Sequence, residues 1–213
     1  MKITIIYDNE AYKEGLQADW GFSCLMEIEN TPRILFDTGA NGAILLSNME
    51  KLKIDPASIQ DVVISHGHFD HVGGLSVFLN VNSDANIYVP ASIGKGHSEK
   101  GVISVDGPME IYENVFSTGE LDNIEQSMAV KTDEGIVVIA GCSHPGMAHI
   151  LAAASQFGKV YAVVGGLHGF SEYDLFKDLK LICPTHCTQH KREIKSLYPD
   201  QYVEGGAGQV IVI

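Results

Sequence analysis

The stretch Ser65-His66-Gly67-His68-Phe69-Asp70-His71-Val72-Gly73-Gly74 places three histidines and an aspartate within six consecutive residues. The apolar run 62–64 before it predicts a short buried strand, and the glycine pair followed by 75–78 predicts the start of a helix. Side chains two residues apart in an extended backbone point to the same side. We therefore expect His66 and His68 to bind one metal ion, and Asp70 and His71, where the chain turns, to bind a second.

This cluster of potential ligands is the strongest functional signal in the chain. A single histidine is most often a surface residue or a satisfied core residue, but a His-x-His-x-Asp-His string at a strand end has few purely structural explanations. Imidazole and carboxylate ligands favour zinc, iron, manganese or cobalt over calcium or magnesium. The sequence therefore predicts one or two divalent transition-metal ions, with zinc favoured and manganese or iron as alternatives.

The composition is that of an acidic chain that can fold around one substantial core. It has 213 residues, 45% of them hydrophobic, and a formal net charge of −13 with 14 Lys and Arg residues. We expect a single domain over residues 1–213. Nucleic acids and anionic membranes are bound by clustered Lys and Arg, so we expect neither as a partner. The expected partner is a small-molecule substrate. The sequence leaves open whether the chain also forms a homodimer.

Two further features predict a cytoplasmic protein. The chain contains no apolar run of the roughly eighteen residues that a membrane helix needs. Its first residues, Met1-Lys2-Ile3-Thr4-Ile5-Ile6, form too short an apolar run for a signal peptide and instead predict a strand.

The four cysteines are expected to be reduced. Cys24, Cys142, Cys183 and Cys187 lie in or beside predicted strands, not in the loop framework of a disulfide-rich secreted domain. Cys142 and Cys187 each stand next to a histidine-bearing segment. Each of these two either lines a site or packs as a small buried residue, and packing is the more frequent role of a free cysteine.

The rest of the chain alternates predicted strands and helices. The predicted strands lie at 3–6, 22–28, 33–36, 62–64, 87–89, 110–116, 126–132, 136–140, 160–164 and 209–213. The predicted helices lie at 41–52, 74–79, 146–157 and 189–197. Residues 91–107 are rich in small, turn-forming residues and predict a mobile loop or lid, in which His97 is interpreted as solvated.

Three more histidines follow apolar runs later in the chain, in Gly141-Cys142-Ser143-His144, Gly165-Gly166-Leu167-His168 and Pro184-Thr185-His186-Cys187-Thr188. Together with the 66–71 string and Asp37-Thr38-Gly39, these segments make the chain resemble the metallo-β-lactamase superfamily over nearly its whole length. The resemblance implies an α+β fold, an αβ/βα four-layer sandwich with two mixed β-sheets face to face and helices outside. It also implies a one- or two-metal site at one edge of the sheets.

The resemblance implies a ligand set for each ion. The first ion would be held by His66, His68 and His144, and the second by Asp70, His71 and His186. Asp37 would orient the histidine turn from behind, and an equally suitable role for it is to cap the helix that follows.

This chain departs from the superfamily at the end of the predicted strand 160–164. The superfamily usually supplies an aspartate there that bridges both ions, whereas this chain has His168, and its nearest carboxylates are Glu172 and Asp174. His168 therefore has two interpretations: it binds a substrate anion or protonates the leaving group, or it is a metal ligand in place of the aspartate. A site without the bridging carboxylate is more positive and suits an anionic substrate.

Most members of the superfamily are hydrolases, so the resemblance implies a metal-dependent hydrolase. A metal-activated water would attack a small anionic ester, phosphoester or lactone, with Asp70 and His168 at the reacting centre. The three later histidine segments resemble most closely the dihydropteroate-synthase-like branch, which includes a synthase of methanopterin biosynthesis. The alternatives are therefore a pterin-pyrophosphate-type transferase and a non-catalytic metal-binding or sensing protein.

Overall fold

The structure is a computed structural model that describes residues 1–94 and 101–213. Its strands are β1 (Lys2–Tyr7), β2 (Ser23–Glu27), β3 (Ile34–Phe36), β4 (Asp61–Val63), β5 (Asn86–Pro90), β6 (Val102–Val105), β7 (Met109–Tyr112), β8 (Val115–Ser117), β9 (Met128–Lys131), β10 (Ile136–Ala140), β11 (Val160–Gly166), β12 (Leu181–Thr185) and β13 (Val210–Val212). Its α-helices are α1 (Gly42–Lys51), α2 (Phe69–Val72), α3 (Leu75–Val81), α4 (Ala91–Gly94), α5 (Met147–Ser155) and α6 (Lys191–Leu197). Two 3₁₀ helices lie at Pro56–Ser58 and Tyr173–Phe176.

Two mixed β-sheets form the framework. The first has the strand order β13-β1-β2-β3-β4-β5-β6, and the second has the order β12-β11-β10-β9-β8-β7. In the first sheet β3 to β6 are parallel, and in the second β10 to β12 are parallel. Parallel strands end at the same edge of a sheet, where loops can bring distant residues together.

The two sheets face each other across an apolar core. Phe36 and Val63 of the first sheet and Val137 and Val164 of the second are fully buried in this core. A second apolar cluster packs α1 and α3 on the outer face of the first sheet, and a third packs α5 and α6 on the outer face of the second. The order of layers is helix, sheet, sheet, helix, so the predicted αβ/βα sandwich is confirmed.

Helix α1 shows how the sequence specifies a local element. Asn41 caps it, because its side-chain oxygen accepts a hydrogen bond from the Ala43 N–H at 3.0 Å. Leu45 and Met49, one turn apart, are fully buried against the sheet. The cap is therefore Asn41 and not Asp37, and the capping role considered for Asp37 is wrong.

Three local predictions differ from the structure. Segment 110–116 is the hairpin of β7 and β8, closed at Asn114, whose left-handed φ of 65° suits a tight turn. Helix α2, inside the histidine string, is only four residues long and too short to leave a periodic pattern. Segment 91–107 contains α4 and β6, and residues 95–100 of the predicted lid, including His97, lie outside the described residues.

Two predictions from composition can also be compared with the structure. All four cysteines are free and buried, as expected. Among the helices of the described residues, none has the length and apolar character needed to cross a membrane.

Candidate metal centre

Three histidine nitrogens meet where β4 and β10 end. His66 and His68 follow β4 of the first sheet, and His144 follows β10 of the second. His66 Nε2 lies 3.1 Å from His68 Nδ1, and His144 Nε2 lies 3.2 Å from the former and 3.1 Å from the latter. These three residues, the predicted ligands of one ion, are the first donor set.

A serine and an aspartate determine which nitrogen of His66 carries its proton. The Ser65 hydroxyl donates its hydrogen to Asp37 Oδ2 at 2.7 Å. The 2.9 Å contact between Ser65 Oγ and His66 Nδ1 must therefore be donated by the imidazole. His66 Nε2 consequently keeps a free lone pair that points to the two other nitrogens of the first donor set.

Asp70, His71 and His186 form the second donor set. One ligand atom from each lies within 4.8 Å of the others. His186 directly follows β12, and its Nε2 is 3.2 Å from Asp70 Oδ2. His71 Nε2 is 3.9 Å from the same oxygen. The predicted ligands of the second ion are thus also close together in space.

Hydrogen bonds at Nδ1 orient both imidazoles of the second donor set. His71 Nδ1 donates to Asp37 Oδ2 at 2.6 Å, and His186 Nδ1 donates to Asn9 Oδ1 at 2.9 Å. In the neutral form of each ring, Nε2 is then left as an acceptor. Within 1–94 and 101–213, the buried His186 Nε2 has no hydrogen-bond partner. Buried polar atoms are rarely left unpaired, and a bound cation would satisfy this one.

The protonation states of the donors suit a divalent cation. Burial, followed by neighbouring imidazoles, lowers the pKa of His66 and lowers that of His144 to about 4. Burial also lowers the pKa of His186. Contact with His186, reinforced by His71, lowers the pKa of Asp70. Neutral imidazoles and an ionised carboxylate are the forms that bind metal.

His71 differs from the other histidines because it faces a buried carboxylate. Burial lowers the pKa of His71, but the charge of Asp37 and the hydrogen bond to it outweigh that effect and leave the pKa raised. The same carboxylate also accepts the Ser65 backbone N–H at 2.7 Å. Asp37 therefore contacts His71 directly and His66 through Ser65, which agrees with the orienting role that the sequence suggested.

Four residues around these donors have left-handed backbones. The φ angles are 56° at Asp37, 62° at Ser143, 47° at His168 and 47° at His186. A non-glycine residue in this region costs roughly 1–3 kcal/mol, and such strain concentrates at functional sites. All four lie just beyond a strand end, where the backbone leaves the sheet and enters the site.

Cys142 lies between the two donor sets. Its Sγ is 3.2 Å from His71 Nε2 and 3.4 Å from Cys187 Sγ. Cys142 belongs to three groups of three side chains that could hold a metal ion. Its partners in these groups are His66 with His71, His144 with His168, and His186 with Cys187. The sequence favoured packing as the role of these two cysteines, but both thiols are next to predicted ligands.

Glu125 supports the segment that carries His144. Its fully buried carboxylate accepts four backbone N–H groups at 2.9–3.1 Å, those of Gly141, Cys142, Ser143 and His144. Sequence analysis missed Glu125, since nothing next to it in the chain indicates a role. The one available signal was that the consecutive backbone N–H groups of a buried Gly-Cys-Ser-His turn need acceptors from elsewhere in the chain.

His168 stands beside the first donor set. Its ring centroid is 4.6 Å from that of His144, and it is half-buried. This position is compatible with both interpretations of His168, as a ligand or as an acid. Glu172 and Asp174 are exposed and belong to none of the donor groups found in the described part of the chain, so neither replaces the bridging aspartate.

A polar cleft of about 720 Å³ opens beside His186. One wall comes from α6 and includes Lys191 and Arg192, and Glu10 lies opposite. Lys191 Nζ is 3.5 Å from a carboxylate oxygen of Glu10. Lys195, Glu193 and Glu204 also line the cleft, so three cationic and three anionic side chains lie next to the second donor set.

The donors fit a divalent transition metal. Ligand atoms 2.0–2.1 Å from a tetrahedral zinc ion are about 3.3 Å from one another. The nitrogens of the first donor set, 3.1–3.2 Å apart, come close to this spacing. Imidazole, carboxylate and thiol groups together favour zinc and its neighbours over calcium or magnesium.

A family model supports the same interpretation of the sequence. The model described as the metallo-β-lactamase superfamily matches residues 21–165. The matched segment contains the whole first donor set and two members of the second, Asp70 and His71.

Individual relatives extend the similarity beyond that segment. A curated relative from Methanocaldococcus jannaschii, 7,8-dihydropterin-6-methyl-4-(β-D-ribofuranosyl)-aminobenzene-5′-phosphate synthase, is 29% identical, and the alignment covers 94% of this chain and 91% of the relative. The solved structure of Tm1679, described as a metal-dependent hydrolase of the β-lactamase superfamily, superposes with a TM-score of 0.76 and 26% identity, covering 100% of this chain and 99% of the other. The metallo-β-lactamase fold protein YhfI from Bacillus subtilis, 13% identical with a TM-score of 0.68 and 99% coverage of both chains, shares the fold.

Proposed function

The chain belongs to the metallo-β-lactamase superfamily, and on this basis we propose that it is a metal-dependent hydrolase of a small anionic ester, phosphoester or lactone. The observation that carries the proposal is the meeting of three imidazole nitrogens at 3.1–3.2 Å, beside a second set of three donors. Divalent ions in such sites lower the pKa of a water molecule and polarise the bond that it attacks.

The residues around the donors prepare the site before any substrate arrives. Asp37 and Ser65 fix the free lone pairs of His66 and His71, and Asn9 does the same for His186. Catalytic groups held in place by such hydrogen bonds do not need to reorganise during the reaction. We assign His168, half-buried next to His144, as the group that protonates the leaving atom or binds a substrate anion.

The proposal of an anionic substrate is supported by charge. The cleft beside His186 has three cationic side chains, Lys191, Arg192 and Lys195, and three carboxylates, Glu10, Glu193 and Glu204, so its own charges balance in a chain whose formal net charge is −13. Two divalent ions would therefore supply the positive charge that attracts an anion to the site. A substrate anion in this cleft would therefore be favoured near the reacting centre and disfavoured over most of the remaining surface.

The first test separates metal binding from catalysis. We expect His68→Ala to lose both metal and turnover, since it removes one of three first-set donors. We expect His168→Ala to keep its metal while turnover falls about 10²–10⁴-fold, the usual contribution of a general acid. Elemental analysis gives the metal content, and a panel of phosphodiesters, carboxylic esters and lactones gives the turnover.

His149→Ala is the matched control, because His149 is exposed and pairs with Asp122 on the surface. It should keep both metal and turnover. Loss of metal in His168→Ala would instead make His168 a ligand. A wild-type protein that binds metal tightly but hydrolyses nothing on the panel would contradict the hydrolase proposal and favour a metal-binding or sensing role.

We further propose that Cys142 acts as a metal ligand in place of the missing bridging aspartate. Its Sγ is 3.2 Å from His71 Nε2 and lies between the two donor sets. A thiolate ligand shifts the preference toward zinc and cobalt and away from manganese. Cobalt-loaded protein should then show a sulfur-to-cobalt charge-transfer band that disappears in Cys142→Ser and persists in Cys24→Ala, the control in the core between the sheets. A band that survives in Cys142→Ser would refute this role.

A transfer reaction is the second candidate function, favoured by the similarity to the methanogen synthase along nearly the whole chain. In this case the side chains of Lys191 and Arg192 in the cleft would hold a departing pyrophosphate. Incubation with a pterin pyrophosphate, with and without an arylamine acceptor, distinguishes the two candidates. Pyrophosphate release that requires the acceptor supports transfer, and release without it supports hydrolysis.

A further inference from the structure

Trp20, the only tryptophan in the chain, contacts two of the three residues of the second donor set. Its indole N–H donates a hydrogen bond to Asp70 Oδ2 at 2.8 Å. The same oxygen lies 3.2 Å from His186 Nε2. The indole ring also packs edge-on against the His186 imidazole, with centroids 5.2 Å apart.

The residues that follow Trp20 hold it in this position. The Gly21 N–H donates to Asn9 Oδ1 at 3.0 Å, and the Phe22 N–H donates to the backbone carbonyl of Asp70 at 3.3 Å. A Cβ at Gly21 would lie 2.5 Å from that carbonyl oxygen, and its φ of 142° disfavours a side chain. The segment 20–22 therefore packs closely on Asp70 through both backbone and side chain.

The exposure of Trp20 is not explained by packing. The side chain is 59% exposed, and its polar end is directed at a metal-ligand candidate instead of at water. Indole N–H is a donor only, so Trp20 cannot itself bind a cation. What it can do is restrict the rotation of the Asp70 carboxylate.

We propose that Trp20 is a positioning residue of the second donor set. Its N–H holds Asp70 Oδ2 where that oxygen faces His71 and His186, so an ion meets a carboxylate that is already oriented. The inference depends on the part of the proposed function that assigns an ion to this set. It does not depend on which reaction follows.

A matched pair of variants tests the hydrogen bond. Trp20→Phe keeps an aromatic ring but removes the N–H, and Tyr12→Phe alters another exposed aromatic residue of the same β1–β2 connection. Loss of a partner that orients a ligand typically weakens metal affinity about 10–100-fold. Calorimetric titration with zinc should show the second ion bound about 10-fold more weakly in Trp20→Phe, with the first ion unchanged and Tyr12→Phe like the wild type.

Tryptophan fluorescence provides a second readout that needs no variant. Cobalt absorbs light and quenches nearby indoles, so cobalt bound at the second donor set should quench Trp20 in the wild type. Because the rings of His66 and His71 are only 4.2 Å apart, both equivalents of cobalt should quench Trp20, and the second, bound at the residues that Trp20 contacts, should add a further step. In His186→Ala, which keeps the first donor set, the second-step quenching should be lost.

Two outcomes would overturn the positioning role. One is a Trp20→Phe protein that folds, by circular dichroism, and binds both ions with wild-type affinity. The other is wild-type protein that binds cobalt without any change in Trp20 emission. Protein that shows the predicted quenching but hydrolyses no substrate would leave the role of Trp20 intact and contradict only the hydrolase proposal.

Discussion

Glu125 is the residue on which the position of His144 depends most directly. One buried carboxylate accepts the four consecutive N–H groups of residues 141–144. Glu125→Gln replaces one acceptor oxygen with an amide NH₂ group, which is a donor, so at least one backbone N–H would face another donor. We expect the free energy of unfolding to fall by about 2–3 kcal/mol, since hydrogen bonds to charged groups contribute that much.

The same substitution should weaken metal binding at the first donor set about 10–100-fold, because His144 would no longer be held in register with His66 and His68. Urea unfolding in the presence of a chelator measures the loss of stability. Zinc titration measures the loss of metal affinity. Glu134→Gln, in the exposed turn between β9 and β10, is the control and should change neither. Wild-type zinc affinity in Glu125→Gln would show that His144 is positioned by other contacts.

At the level of residues, the sequence predicted the donors better than their supports. The His-x-His-x-Asp-His string is local, so its four ligands can be recognised from spacing alone. His144 and His186 required the family resemblance, because nothing in their own segments says that they meet the string. Glu125, Asn9 and Trp20 act through hydrogen bonds to residues 16–177 positions away, which no local pattern records.

The connection between β1 and β2 is the element that carries both Asn9 and Trp20. Tyr7, at the end of β1, fixes this connection by donating from its hydroxyl to Asp19 Oδ2 at 2.6 Å. Burial, and then the hydrogen bond and charge of Asp19, raise the pKa of Tyr7. A tyrosine with a raised pKa in the folded state stabilises fully below its unfolded pKa of about 10 and loses that contribution as pH rises above it.

We therefore expect the difference in the free energy of unfolding between the wild type and Tyr7→Phe to stay constant from neutral pH to about pH 9. Above about pH 10 the difference should shrink, because the unfolded wild-type chain gains by ionising Tyr7. Urea unfolding at a series of pH values, in the presence of a chelator, measures this difference. Tyr12→Phe, with an exposed ring, serves as control and should follow the wild type. A difference that grows with pH would contradict the raised pKa.

The contact between α1 and α3 depends on Gly42. A Cβ at this position would lie 2.3 Å from Val77 Cβ of α3, too close for either helix to keep its place. Gly42→Ala should therefore lower the free energy of unfolding by about 1–3 kcal/mol, despite the better helix propensity of alanine. The control is Gly107→Ala, at an exposed position with no heavy atom within 4 Å of the added carbon.

Where the m-values are equal, the denaturant midpoints give the difference in the free energy of unfolding between the variants. Gly107→Ala should stay within about 0.5 kcal/mol of the wild type. A Gly42→Ala protein as stable as the wild type would mean that α1 and α3 can separate at no cost.

At the level of elements, the helices with one buried face were predictable and the short elements were not. Helix α1 has a capping asparagine and apolar residues one turn apart, and both signals lie within ten residues. In the β7–β8 hairpin, the turn is made by Glu113 and Asn114, so the strands around it look like one continuous run. Helix α2 has a single turn, and its position follows from the histidine string instead of from helical periodicity.

At the level of the whole molecule, each donor set joins the two sheets. The first set combines His66 and His68, which follow β4, with His144, which follows β10 of the opposite sheet. The second combines Asp70 and His71 with His186, which follows β12 of the opposite sheet. The predicted sandwich explains this convergence, but the sequence alone could not supply the distances.

An ion in either donor set should consequently stabilise the packing of one sheet against the other. Binding to the folded state alone adds RT ln(1 + [L]/Kd), about 2.7 kcal/mol at an ion concentration 100 times Kd. We expect the urea midpoint to rise with free zinc and to fall when a chelator removes it. His144→Ala removes the donor that comes from the second sheet, so its stability should depend less on zinc, whereas His149→Ala should respond like the wild type. If zinc binds stoichiometrically and the midpoint does not move, the ion is held equally well by the unfolded chain, and the two sheets do not depend on it.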